Sequence, residues 1–539
     1  MKSGKSSRRE FLALSTSLAA ASGVSWGAAP PAQPEWNAGQ LAHLIPTASH
    51  DRLLIKASFK QPLAAAPRLM VNGKPTVAIP TDPQGRFWIF DATGLQPATS
   101  HELRIWDAGG EALCDAWPLK THPAPTAIPK RVRILAFGCA GGYDGPALDG
   151  KAFFLDMKAR RRLLARGMGF KPDVVIANGD HIYWDIQTSL NKPHAKFVRE
   201  ELWTKFAPEL DLSVPMLHPK NFATFTGICD HQIAGLYGTT LRSTPAYFVS
   251  DDHDMFENDE FDSSVATMPP DSYGISGAEQ TQRLYYPEFL PDANRPVWLA
   301  GADKAGAPWG TNQSFGTLRY GKLLESVFYD CRRYADYKGD RARILPQWVE
   351  DWLIARTRAE DTTHFLHAPS LPFGYSSGKL GSWYPDLLDE NTGRLVLSKE
   401  KPGWQRGWFA QHQRLIEAMA AQKKRTPLIV QGDFHVSAVG RITRSGELSL
   451  PRPIEVVTAG ALGTGDLGFP SSYRSTETMP SHLIGMEQAL KPAEKNGFSI
   501  IDVLPDKLVF TVFTWRPPQP VEAIDTMKPA LVHNIRRKA

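Results

Sequence analysis

The chain has 539 residues, 61 basic and 56 acidic, with 42% hydrophobic and 22% charged side chains, a globular composition whose length predicts one large domain with a small addition or about three average ones. Of the formal net charge of +5, Lys2, Lys5, Arg8 and Arg9 against Glu10 place +3 in a leader expected to be removed; the remaining charge of about +2 excludes an electrostatic nucleic-acid binder. Cys114, Cys139, Cys229 and Cys331 share no CxxC spacing, which excludes a disulfide framework or a structural zinc knuckle.

Residues 1–29 join a basic start to the uncharged stretch LALSTSLAAASGV at 12–24 and small residues at 27–29. Thirteen moderately apolar residues are too few to span a membrane. Arg8-Arg9 before that stretch resembles the twin-arginine export signal, read by a receptor on proteins that leave the cytosol folded. The expected location is therefore periplasmic or secreted, with the twin-arginine translocation machinery as a partner. No later stretch is long and apolar enough for a membrane span.

From residue 36 to 126, short alternating runs (RLLIKASF, PRLMVNG, RFWIFDATG, HELRIWDAGG) are separated by Pro and Gly turns, which predicts a small β-sandwich. GLQPATSHELRIW is similar to the turn and strand of a fibronectin type III module, with His101 at its usual tyrosine. The Pro-rich stretch HPAPTAIPK at 122–130 marks a boundary. Over 131–520, buried-type strands (RVRILAFG, DVVIAN, PAYFVS, ESVFYD, THFLH, PLIVQ, IEVVTA, FSIIDV, LVFTVF) alternate with helical stretches (KAFFLDMKARRRLLARG, LPQWVEDWLIARTRA, QRGWFAQHQRLIEAMAAQ), an α/β layer pattern. The stretch from Asn258 to Gln313, rich in Gly, Pro and Asp, is expected to be loop that shapes a cleft, and 521–539 a C-terminal tail.

Several strands end in residues able to bind metal: LAFGC at Cys139, DVVIANGD at Asp180, YFVSDDHD at Asp251 to Asp254, FLHAP at His367 and LIVQGDFH at Asp433 and His435. Ligands of open α/β sheets bind at strand carboxyl ends, and thiolate, imidazole and carboxylate are metal-ligand groups. Convergence of these loops predicts a dinuclear metal site. No phosphate-binding P-loop is present.

The order GDxxY (Gly179, Asp180, Tyr183), DDH (Asp251, Asp252, His253), HAP (367–369) and GDFH (432–435) resembles the calcineurin-like metallophosphoesterases and, more narrowly, the PhoD-like alkaline phosphatases. YDCRRY at 329–334 and LPQWVEDWL at 345–353 are similar to two further markers of that family. The resemblance implies a four-layer sandwich of mixed sheets flanked by helices, preceded by the fibronectin type III-like module.

It also implies Fe(III) held by Cys139, Asp180, Tyr183 and His435, and a second cation held by Asp180, Asp252, Asp433 and His367. Ferric charge can deprotonate a phenol whose free pKa is about 10. Carboxylate oxygens at the second position favour Ca2+ over Zn2+ or Mn2+. His253 is expected to face the phosphate and to stabilise or protonate the leaving group, with Asp180 bridging the metals. Each residue also has a bland reading: an Asx turn for Asp180, packing for Tyr183 and Cys139, a solvated acidic loop for 251–262, a core histidine for His367. Arg332, on a buried strand, is read as a carboxylate partner and left outside the catalytic set.

The implied function is an exported phosphoesterase acting on organic phosphomonoesters, with possible diesterase activity, through a metal-bound hydroxide or oxide. The alternatives are a phosphodiesterase or phospholipase D-like enzyme on lipid or wall polymers, and a surface-binding protein without catalysis.

Overall fold

Seven antiparallel strands open the structure, a computed structural model that describes residues 36–144, 151–184, 210–211, 213–255, 261–262, 265–266, 272–295, 315–389, 391–473 and 475–537. They are Leu41–Ala48, Arg52–Phe59, Arg68–Val71, Lys74–Pro80, Phe87–Thr93, Ser100–Trp106 and Trp117–Lys120. Period-two alternation buries His101, Leu103 and Ile105 along the sixth strand while Ser100 and Glu102 face outward. Leu103 and Ile105 meet Leu53, Ile55, Trp88 and Phe90 in one core. The fourth strand, flanked by prolines and largely exposed, has no apolar alternation for the sequence to display. The Pro-rich stretch after the seventh strand is anchored, because the His122 ring Nε2 lies 2.8 Å from the Tyr247 hydroxyl.

Two sheets follow. The first runs Ala246–Val249, Val174–Asn178, Val132–Gly138, Asn496–Leu504, Lys507–Trp515 and Pro529–Arg536, its first three strands parallel. The second runs Phe315–Tyr320, Leu324–Tyr329, His364–Pro369, Pro427–Gln431, Leu448–Ala459, Ser437–Ser445 and Ile484–Ala493, its second to fifth strands parallel. Parallel strands covered on both faces read as continuous apolar runs, which is why VVIAN and PLIVQ stood out.

Between the sheets, Ile134, Ala136 and Ile176 pack with Phe328, Leu366, Leu428 and Val430. Outside the first sheet, Leu135, Phe137 and Val175 meet Leu163 and Leu164 of helix Met157–Met168. Outside the second, Tyr329, Phe365 and Ile429 meet Val349 and Leu353 of helix Gln347–Ala359 and Leu415 and Ile416 of helix Arg406–Ala420. Each Val, Leu, Ile or Phe among them, removed from water, stabilises the layers by about 1.5–3 kcal/mol. The result is a helix, sheet, sheet, helix sandwich.

Two expectations need correction. Residues 521–539 are not a tail throughout: Pro529–Arg536 pairs antiparallel with Lys507–Trp515 and extends the first sheet, its pattern too weakly apolar to announce a strand. The stretch from Asn258 to Gln313 is not only loop, since it contains helix Ser272–Leu284; parts of it, including 296–313, lie outside the described residues.

Candidate metal centre

The parallel strands of both sheets end at one edge, and the chain turns sharply there. Cys139, Asp180, Asp433 and His435 all have positive φ, between 45° and 70°. Non-glycine residues adopt this left-handed conformation at a cost of about 1–3 kcal/mol each and retain it where the surroundings enforce it. The glycines before the two aspartates make room: a Cβ on Gly179 would lie 2.6 Å from that of Asp251, and one on Gly432 would lie 2.5 Å from the Asn178 carbonyl oxygen. Asn178 joins the sheets beneath the site, donating from Nδ2 to the carbonyls of Pro369 at 3.0 Å and Val430 at 3.3 Å.

Ligand-type atoms of Cys139, Asp180 and His435 lie within 4.8 Å of one another. The Tyr183 hydroxyl is 3.2 Å from Asp180 Oδ2 and 3.1 Å from His435 Nε2. His435 Nδ1 donates to the Gly468 carbonyl at 2.6 Å, which turns the lone pair of Nε2 toward the cluster. One phenol proton thus faces two acceptors, and Asp180 Oδ1, fully buried, has no hydrogen-bond partner among the described residues. Burial, with Asp180 and Asp433 nearby, pushes the Cys139 thiol well above its ordinary range. A thiol, a phenol, an imidazole lone pair and an orphaned carboxylate oxygen at one point are a donor set that a cation completes. These four residues fit a metal ion.

His253 stands beside them, its ring centroid 4.2 Å from that of Tyr183. Asp180, Asp252 and His253 form a second close group and Asp251, Asp252 and Asp433 a third. Residues 251–254 are all buried, so the acidic run begins as part of the site; 256–260 lie outside the described residues. Burial pushes the Asp180 carboxyl up, but His253, His435 and Lys379 bring it below its ordinary value. Burial acts likewise on Asp252, and Lys379 and Arg332 hold it well below the usual range.

His367 is not brought to this group. The strand alternates, sending Leu366 and Ala368 between the sheets and Phe365 toward the outer helices, and His367 shares the face of Phe365. Its Nε2 lies 3.0 Å from Thr357 Oγ1 on helix Gln347–Ala359 and its Nδ1 lies 3.3 Å from the Tyr329 hydroxyl. It is a satisfied core histidine, and the expected coordination is withdrawn.

Two cations stand inside the site, one of which, Lys379, sequence reasoning missed and the other of which it left outside the catalytic set. Arg332 donates from Nε to Asp251 Oδ1 at 2.6 Å and from Nη2 to Asp433 Oδ2 at 3.3 Å, so its reading as a carboxylate partner is right and its place is inside the site. Lys379 donates from Nζ to Asp252 Oδ2 at 2.8 Å and also to Asp433. It lies in the loop YSSGKLGSW, where nothing but tertiary placement separates it from a solvated lysine. Asp252 and Asp433, expected to hold Ca2+, therefore already bind an ammonium of the chain itself, and of their four oxygens only Asp252 Oδ1 has no hydrogen-bond partner among the described residues.

A family model described as PhoD-like phosphatase matches residues 152–509. A solved structure titled "Structure of PhoD" is similar over 94% of this chain and 92% of that one, with 13% identity and a TM-score of 0.57. Purple acid phosphatase PPD1 from yellow lupin (Lupinus luteus) seeds is similar over 92% of this chain and 74% of that one, with 12% identity and a TM-score of 0.52. No curated protein matches. At these identities the two structures speak for the fold alone, whereas the family model spans most of the sequence and the entire strand-end cluster except Cys139: the chain belongs to the PhoD-like phosphatase family.

Proposed function

We propose that this protein is an exported metal-dependent phosphoesterase that releases phosphate from organic phosphomonoesters, with phosphodiester hydrolysis as a secondary activity. The observation that carries the reading is the meeting of Cys139, Asp180, Tyr183 and His435 at one sheet edge beside His253. Fe(III) is the ion this donor set suits, through its thiol and phenol, and when bound it supplies Lewis acidity toward a phosphoryl oxygen and lowers the pKa of water.

The chain contributes the rest. Asp180 and Tyr183 orient the ion's side of the site, and Arg332 and Lys379, paired with Asp251, Asp252 and Asp433, offset negative charge that a phosphate dianion would otherwise meet there. His253, set against the Tyr183 ring, holds the proton that the leaving alkoxide or phenoxide requires. Residues 1–29 act as a twin-arginine signal, so that the folded, metal-loaded enzyme is delivered to the periplasm or beyond. The N-terminal sandwich is taken as a fibronectin type III-like module. No described helix is long and apolar enough to cross a membrane.

The test is hydrolysis of an aryl phosphate and a bis-aryl phosphate by purified, iron-loaded enzyme and by His253→Ala. The monoester is expected to be the faster substrate, and the variant to lose about 10²–10⁴-fold in kcat. The reading is wrong if the metal-loaded protein hydrolyses neither ester.

A further inference from the structure

Asp252 and Asp433, the carboxylates expected to bind a second cation, already share one. The Lys379 ammonium bonds to both, and the side chain is only 7% exposed. Its loop is pinned on either side. Lys401 Nζ donates to the Lys379 carbonyl at 2.6 Å, and Arg332 Nη1 donates to the Gly381 carbonyl at 3.3 Å. Just beyond, Trp383 and Tyr384 are buried in the outer apolar layer, with Trp383 Nε1 donating to the Leu371 carbonyl at 3.3 Å. Lys379 is thus delivered to the carboxylates by fixed backbone.

Charge and space point the same way. Asp251, Asp252 and Asp433 face Arg332 and Lys379, so two fixed positive charges already stand against these carboxyl groups. A calcium ion needs several oxygen ligands at about 2.3–2.6 Å; Asp252 Oδ2 and Asp433 Oδ1 are acceptors of the ammonium and Asp433 Oδ2 of Arg332, which leaves only Asp252 Oδ1 of these four oxygens without a hydrogen-bond partner among the described residues. Ion and ammonium cannot occupy this place together, since each would put a like charge against the other in a buried site.

We propose that this chain is a one-metal phosphoesterase in which the Lys379 ammonium stands where a second cation would. This rests on the reading of Cys139, Asp180, Tyr183 and His435 as the site of the first ion. Lys379 keeps Asp252 and Asp433 together and adds fixed positive charge beside the phosphoryl group, independent of the supply of a labile divalent ion.

The experiment is metal stoichiometry, by elemental analysis of iron and by equilibrium dialysis against excess Ca2+, Zn2+ or Mn2+, on the full mature chain and on Lys379→Met. Wild-type protein is expected to hold one equivalent of iron and no equivalent of the dialysed ion, and Lys379→Met to gain one. Lys379→Arg, which keeps the charge, is expected to stay at one. Two equivalents in wild type overturn the proposal and leave the first-ion reading standing, and no bound metal in wild type overturns both. One equivalent in both wild type and Lys379→Met also overturns it, because Lys379 would not be what keeps the second ion out. If Lys379→Met fails to fold, the wild-type stoichiometry decides alone.

Discussion

Asp254 Oδ2 accepts the backbone N–H of Asp180 at 2.9 Å, so one buried carboxyl holds the turn that carries the candidate metal ligand Asp180. The same oxygen takes the N–H of Asp251 at 2.9 Å, and Oδ1 takes those of His181 at 2.9 Å and Ile182 at 3.1 Å. Burial and Asp180 push this carboxyl up to about 8, and the backbone N–H groups pull it back toward the charged form. The turn has its left-handed φ of 57° at Asp180 because these donors need one common acceptor.

Asp254→Asn replaces one acceptor oxygen by an NH2 group and sets donor against donor at two N–H groups. Expected are a loss of about 1–3 kcal/mol in stability, the cost of buried unsatisfied groups, and lower iron content. Chemical unfolding and elemental analysis check both, and unchanged values would remove Asp254 as the clamp.

Tyr183→Phe deletes the phenol oxygen placed between Asp180 and His435 while keeping the ring against His253 and Phe154. A phenolate and a thiolate on Fe(III) are electron donors, so the wild-type protein is expected to be coloured. The variant is expected to lose or shift that band in a visible spectrum and to fall in activity. Full colour and activity in Tyr183→Phe would return this side chain to packing.

The legible part of the site is the part whose side chains follow strand ends. Asp180, Asp252, His253, Asp433 and His435 come directly after short apolar runs, and parallel strands place all such positions at one edge. His367 was misjudged because FLHAP is buried along its whole length, so hydrophobicity does not reveal which face a given residue takes. Lys379 was invisible because its role depends on a loop anchored by Lys401 and Arg332, residues that lie outside that loop in the sequence. The layers were readable for the opposite reason: helix and strand periods are local.

Export depends on residues outside the described structure. Replacing Arg8 and Arg9 together by Lys preserves charge but removes the pair that a twin-arginine receptor reads. Active enzyme is expected to remain in the cytosolic fraction, and unchanged secretion of the variant would exclude the twin-arginine route.

His367→Gln separates core from ligand. Glutamine keeps one donor and one acceptor for Tyr329 and Thr357, so a cost of about 1–2 kcal/mol in stability is expected from imperfect replacement of the two bonds. Iron content and kcat are expected to match wild type. A selective loss of metal at unchanged stability would restore His367 as a ligand.

Acid should unfold this protein early, because several histidines are buried in the neutral form. Burial lowers His43, His122, His367 and His412 to about 3, against about 6.5 in an unfolded chain. Below pH 6.5 the unfolded state therefore binds protons that the folded state refuses, so stability present above 6.5 is lost progressively as pH falls toward 3. Each such group contributes about 1.4 kcal/mol per pH unit once the unfolded histidine is fully protonated. The Tm is expected to fall steeply between pH 6.5 and 4.5. His367→Gln, with one titrating group fewer, should show a shallower slope across that window in urea titrations at stepped pH, and an identical slope would mean that His367 is already protonated in the folded protein.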